Sequence, residues 1–249
     1  MDLKFSLEFL IFTILVVLTI LIEGFRIFKD KGSENWFIDL FSLFMQGTAV
    51  PIIQSYFVLL FFLKPYEGTL ELPGWLAFLI NFVFLDFIYF HIHRGLHKKG
   101  FWGFHLLHHS AQKMDVITTS RNSFWTTFLM PYIWVNGLML VLLNDKSWYI
   151  FAISLTAMLD LWRHSPIYPD PSTKAYKLLS LILITPLDHA WHHSSGKNNI
   201  NFGANLNIWD RLYKSYYAPL IKPSRLGFQI KSSLMTKLFF PLKLERENS

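Results

Sequence analysis

No charged residue interrupts the chain from Phe9 to Ile22, and this is the first of several apolar runs that dominate the sequence. A helix needs about 20 apolar residues to cross ~30 Å of hydrocarbon, where no water is present to satisfy the backbone. The stretch Phe5–Phe25 meets that length and no small-residue cleavage site follows it, so it reads as an uncleaved span rather than a signal peptide. A second run covers Phe37–Leu63, with Pro51 expected to kink it. A third, Leu72–Ile92, ends in His93-Arg94. A fourth, Phe124–Leu143, is followed after Asn144-Asp145-Lys146 by the shorter Trp148–Trp162, and the pair reads as a helical hairpin. The expected architecture is all-α: an integral membrane helical bundle of about four to five spans.

Composition agrees. Of 249 residues, 16% are charged, against roughly 25% in an ordinary soluble domain, so there is too little material to cover a soluble globule. The absence of Cys excludes disulfides, thiolate chemistry, iron–sulfur clusters and zinc ribbons. The net charge of +6 forms no basic stripe with interleaved aromatics, so nucleic acid is not an expected partner. Lys and Arg instead flank the apolar runs. Arg26, Lys29 and Lys31 follow the first, Arg94, Lys98 and Lys99 the third, and Arg163 and Lys174 the hairpin; the opposite loops hold only Lys64 and Lys146. This asymmetry puts the N-terminus outside and His93–Ser123, the chain from Arg163 onward and the C-terminus in the cytoplasm. Between Lys174 and Leu187, the spacing of Ala175, Leu178, Leu179 and Ile182 suits an amphipathic interfacial helix. The chain divides into N-terminal spans (1–85), a histidine-bearing region with the hairpin (86–217) and a basic, polar tail (218–249).

All ten histidines lie between His91 and His193. Residues at i, i+3 and i+4 share a helix face. His105, His108 and His109 have that spacing, His189, His192 and His193 repeat it, and His93 and His97 are an i, i+4 pair. Each set can point several imidazoles at a metal centre from one helix. His91 lies about 200° around the helix from His93 and is set aside. With His164 the clustered imidazoles number nine, too many for one tetrahedral zinc, and two metals are implied. Imidazole alone suits iron, zinc, copper or nickel. No HExxH and no G-x-G-x-x-G occurs, which argues against a zinc protease of that type and against a bound nicotinamide or flavin.

The run Asp86–Asn122 resembles the fatty acid hydroxylase (sterol desaturase) superfamily of integral-membrane, non-haem di-iron enzymes. Its residues Asp86, Tyr89, His93, Arg94 and His97, then Trp102, His105, His108, His109 and Ser110, then Arg121, follow that family's pattern. Trp162-Arg163-His164-Ser165 resembles its solitary histidine, Thr185–His193 its third box, and Asn201-Phe202-Gly203 with Trp209-Asp210-Arg211-Leu212 its closing signature. The resemblance implies a cytoplasmic helical cap holding two irons, with zinc able to replace them, that activate O2 to hydroxylate or desaturate a lipid. The implied ligands are His93, His97, His105, His108, His109, His164, His189, His192 and His193. Where some members carry His or Gln four residues before the solitary histidine, this chain has Asp160, placed to ligate or to orient His164. Asp86, two helical turns before His93 in an apolar run, and Asp188, beside the third box, are expected to support ligands from behind. Electrons would come from a separate protein, for which Lys98, Lys99 and Lys197 offer a basic face. Two rival readings are a membrane di-zinc hydrolase and a non-enzymatic metal- or lipid-binding membrane protein.

Overall fold

The computed structural model of the chain describes residues 3–54, 63–197 and 199–244. These form helices joined by loops, with three isolated β-bridges and no strand among the described residues. In chain order the helices are α1 (Leu3–Glu23), α2 (Ser33–Ile53), α3 (Gly74–Leu96), α4 (Trp102–Leu106), α5 (Phe124–Leu129), α6 (Pro131–Leu142), α7 (Ser147–Arg163), α8 (Lys174–Leu179), α9 (Pro186–His192), α10 (Ile208–Leu212) and α11 (Leu234–Phe239).

Among the described residues, α2 and α3 are long and apolar enough to cross a membrane. Each contains one π-helical turn, Met45–Ala49 in α2 and Ile80–Leu85 in α3. In α2 the wide turn immediately precedes Pro51, whose ring has no N–H and crowds the carbonyl four residues back. The part of the second apolar run at 55–62 lies outside the described residues. α7 packs along both α1 and α3. One apolar core there joins Ala77 of α3, Met139 and Leu143 at the end of α6, and Tyr149 and Ile153 of α7.

Three sequence expectations are revised. The run Phe124–Leu143 is not one helix, because Met130 is extended (φ −77°, ψ 127°) between α5 and α6. Pro131 disfavours helical geometry in the residue before it and takes the first position of α6, where a missing N–H costs nothing. The amphipathic segment from Lys174 stops at Leu179; Thr185 then caps the separate helix α9, with Pro186 at its first position. The end of α8 and the link after it leave Leu178, Leu181 and Ile182 exposed. Finally Lys31, counted above as a loop cation, is buried and ion-paired to Asp39 (2.6 Å) and Asp115 (2.9 Å).

The region after Ile221 folds back onto the rest. Phe228, Leu238 and Leu244 join Ile38, Leu106 and Leu107 in a second apolar core. α4 meets this segment closely at Gly103, where a Cβ would sit 2.1 Å from the Pro241 carbonyl oxygen. Only glycine permits that approach, and it fixes one end of the helix carrying His105.

Candidate metal centre

The histidine-bearing segments converge into two adjoining groups. His93, His97, His105, His109 and His192 form one, and His108, His164, His189 and His193 the other. Within each group one ring nitrogen per residue lies within 4.8 Å of all the rest. Eight of these imidazoles are buried and His97 is half-buried. His109 sits on the seam, its ring centroid 4.6 Å from that of His192 and 4.4 Å from that of His193.

Each H-x-x-H-H box therefore serves both groups rather than one. His105 and His109 face the five-membered group and His108 the other; His189 and His193 face the four-membered group and His192 the other. The reason is angular. On a helix, i+4 falls about 40° to one side of residue i and i+3 about 60° to the other, so adjacent histidines diverge by about 100°. α4 ends at Leu106, and a 3₁₀ turn, His108–Ser110, carries the second and third members of the first box.

Four rings are held from behind by backbone carbonyls. Nδ1–H of His93 donates to Phe202 O (2.7 Å), of His108 to Arg121 O (3.1 Å), of His164 to Asp160 O (2.9 Å) and of His192 to Ile200 O (2.7 Å). A carbonyl only accepts, so the proton resides on Nδ1 and the lone pair on Nε2, the atom that faces the group. Inside the groups nitrogens confront nitrogens. Nε2 of His93 is 2.8 Å from Nε2 of His105, and Nε2 of His164 is 3.1 Å from Nε2 of His189. Nε2 of His192, both ring nitrogens of His109 and Nδ1 of His105, His189 and His193 are buried without partners. A buried polar atom left unpaired costs roughly 1–3 kcal/mol, and this cluster has several. Where imidazole nitrogens face one another with no acceptor or counter-charge between them, a shared cation takes up their lone pairs, so the donor set fits a metal in each group.

Electrostatics point the same way. Burial pushes the His108 and His192 imidazoles down to about 3, reinforced for His108 by the neighbouring His164. Burial and neighbouring imidazoles also hold His105, His109, His189 and His193 well below the ordinary range. All are neutral at pH 7, the form that binds metal.

The three acids act at one remove. Asp86, fully buried, touches no imidazole. Its Oδ1 accepts from Asn205 N–H (2.7 Å) and Tyr132 OH (3.4 Å), its Oδ2 from Trp209 Nε1–H (2.8 Å) and Leu206 N–H (3.2 Å). It thereby anchors the loop whose Phe202 carbonyl holds His93. Asp160 pairs with Arg163 (2.6 Å), while its backbone carbonyl accepts from His164; its Oδ1 is 3.3 Å from His164 Nδ1. Asp188 closes a capping box at the start of α9, its Oδ2 accepting from Thr185 N–H (2.9 Å) and Oγ1–H (2.8 Å). Burial raises its carboxyl to about 6. His91 lies at the surface against Phe87 and Tyr213, away from both groups.

Sequence reasoning missed two supports. Asp210 accepts from the backbone N–H groups of Phe202 (2.9 Å) and Gly203 (2.7 Å), gripping the same loop from its other end, and Arg163 donates to the Ala204 carbonyl between them. Arg121, whose carbonyl holds His108, is buried and tied to Asp39 (2.5 Å) and Asn35 (3.0 Å) of α2. Both were visible only as members of motifs: the partners of Arg121 lie 82 and 86 residues away, and those of Asp210 are backbone groups of a loop with no periodicity to reveal them. Beside the groups, a cavity of about 190 Å³ is lined by His105, His108 and His164, with Met130, Ile133 and Ile153 among its apolar walls.

Comparison with known proteins gives a family match over residues 78–215, to the fatty acid hydroxylases. The chain is 33% identical to the ornithine lipid hydroxylase OlsE of Rhizobium tropici over 144 residues, 56% of this chain and 41% of that protein. It is 31% identical to the alkylglycerol monooxygenase of Danio rerio over 156 residues, 59% of this chain and 32% of the relative. It is 28% identical to the fatty acid hydroxylase vlmA of a Lecanicillium species over 163 residues, 59% of this chain and 44% of the relative. The matched segment is less than half the length of each of these relatives. No solved structure matches the chain at a significant level.

Proposed function

The chain belongs to the fatty acid hydroxylase family, and on that premise we propose that it is a membrane-embedded, O2-dependent lipid hydroxylase holding two metal ions, iron in the working form. The observation that carries this reading is the pair of adjoining all-imidazole groups in which ring nitrogens face ring nitrogens. His93, His97, His105, His109 and His192 would hold one ion, and His108, His164, His189 and His193 the other. The bound metals supply the redox chemistry that couples O2 to an unactivated C–H bond. Overall, R–H, O2, two electrons and two protons give R–OH and water.

The protein's own part is positional. Carbonyls of Phe202, Arg121, Asp160 and Ile200 fix four rings in the tautomer that offers Nε2. The cavity touches imidazoles of both groups, so a chain segment seated there would lie beside both metal positions. With α2 and α3 spanning the bilayer, His93 and His97 at the end of α3 put the centre near one membrane face, assigned to the cytoplasm by the loop charges. Electrons would arrive from a separate protein. Lys98 and Lys99, exposed beside His97, and the exposed Lys197 form the basic face for it.

The test is metal analysis of the reconstituted protein together with the lipids of cells that do and do not express it, grown under ¹⁸O2. Two metals per chain and an ¹⁸O-labelled lipid are expected. One metal or none, or a product without ¹⁸O, overturns the proposal.

A further inference from the structure

Two side-chain amides in the cavity take no part in holding the histidines. Asn122, just after Arg121, and Gln46, in the π-helical turn of α2, line the same cavity as His105, His108 and His164. Asn122 is 8% exposed and its Oδ1 has no hydrogen-bond partner, nor has Gln46 Oε1. Their positions are set together. Ser42 of α2 bonds both the backbone N–H (3.3 Å) and the backbone carbonyl (3.1 Å) of Asn122, and Gln46 follows Ser42 by one helical turn on the same face.

Two other polar groups of the cavity are already engaged. Asn136 Oδ1 accepts from Asn81 Nδ2–H (2.8 Å) and Tyr149 OH (3.0 Å), and Tyr132 OH donates to Asp86. The two free amide oxygens are thus distinct from the bundle's internal polar network. Buried acceptors without donors are rare in proteins, and at a cavity wall they point to a donor brought by a ligand. The cavity's size sets the range. A volume of about 190 Å³ holds roughly six water-sized groups, so a donor reaching these oxygens lies only a few bonds from any carbon beside the imidazoles.

We infer that the cavity selects a lipid carrying a hydroxyl or an amide N–H within a few bonds of the carbon to be oxidised, with Asn122 Oδ1 and Gln46 Oε1 accepting from that group. This rests on the lipid hydroxylase reading above and narrows it. A plain hydrocarbon chain leaves both oxygens unpaired, whereas a hydroxy-lipid or an N-acyl lipid satisfies them. The apolar lining of Met130, Ile133 and Ile153 takes the adjoining methylenes.

The experiment uses the full chain in nanodiscs, metal-free for binding and iron-loaded for turnover, with two pairs of probes. N-ethyldodecanamide is compared with N,N-diethyldodecanamide, and 1-O-dodecylglycerol with its dimethyl ether. Wild type should bind the donor-bearing member of at least one pair about tenfold or more tightly, since one hydrogen bond is worth about that factor. The pair that discriminates identifies the donor as amide or hydroxyl. Asn122→Leu and Gln46→Leu should each reduce the preference toward unity while leaving affinity for the donor-free member within about twofold. Gln46→Leu leaves the bonds between Ser42 and the Asn122 backbone intact, so it tests recognition even where Asn122→Leu fails to fold. Equal binding within both pairs, or a preference that survives Gln46→Leu, overturns the inference. Incorporation of ¹⁸O into donor-free chains as fast as into donor-bearing ones overturns it while sparing the hydroxylase reading. A donor preference without any ¹⁸O incorporation sustains the recognition site and overturns the hydroxylase reading instead.

Discussion

Replacing Asp86 with Asn tests the idea that the centre is held from a distance. All four partners of this carboxylate are donors, two on each oxygen: Asn205 N–H and Tyr132 OH on Oδ1, Leu206 N–H and Trp209 Nε1–H on Oδ2. Asn keeps the shape but turns one oxygen into an NH2 group. Whichever way it flips, two donors lose their acceptor and face another donor in a fully buried site. Hydrogen bonds to a charged group are worth about 1.5–3 kcal/mol each, so the loss is about 3–6 kcal/mol. At 2–4 °C per kcal/mol for a chain of this size, that is a fall in Tm of roughly 6–24 °C. The same loosening reaches His93 through the Phe202 carbonyl, and losing a support of this kind typically costs about 10–100-fold in metal affinity. The assays are thermal unfolding in detergent and iron retention against a graded chelator. A Tm within about 2 °C of wild type with unchanged iron retention would refute the anchoring role.

Three further outcomes follow from the geometry. His105→Ala and His192→Ala should deplete the five-histidine group, His108→Ala and His193→Ala the four-histidine group, and His91→Ala neither; anomalous scattering at the metal edge reads which ion is lost, and His192→Ala emptying the same position as His189→Ala would contradict the split. Gly203→Ala places a Cβ 2.4 Å from the Leu206 carbonyl oxygen, so it should displace the loop carrying Phe202 O and lower both Tm and iron content; a fully loaded, equally stable variant would count against that loop. For the metal-free protein, imidazoles held at about 3 in the fold but titrating near 6.5 when unfolded mean that the unfolded state takes up more protons in acid. Stability is therefore retained above pH 6.5 and declines steadily as pH falls toward 3; a Tm that is flat from pH 7 to 4.5 would contradict the burial of these rings.

How much of this was legible in the sequence varies with range. Spacing alone exposed the histidine boxes, because i, i+3 and i+4 are properties of one short segment. The division of each box between two groups was not legible, since the same spacing serves one centre or two and the rest of the structure decides. Asp86 announced itself as an acid in an apolar run, yet its partners lie about 120 residues on, at Asn205, Leu206 and Trp209. Lys31 lies in the loop where the sequence put it, but its burial was not legible, because one of the two acids that close over it, Asp115, is 84 residues on. The break at Met130 was signalled by Pro131, but the apolar run hid it: hydropathy reports length and composition and ignores the backbone preference of a single residue.

The interleaving of the boxes also bears on modularity. The segment His105–His109 and the helix α9 each feed both histidine groups, while only α3 and the end of α7 feed one alone. Neither group can be excised, transplanted or engineered as a unit, since any cut that removes one strips ligands from the other. Drift of a single helix in register or rotation shifts imidazoles on both sides together. Replacing a single histidine can deplete one group at a time, but exchanging either segment for another protein's alters both.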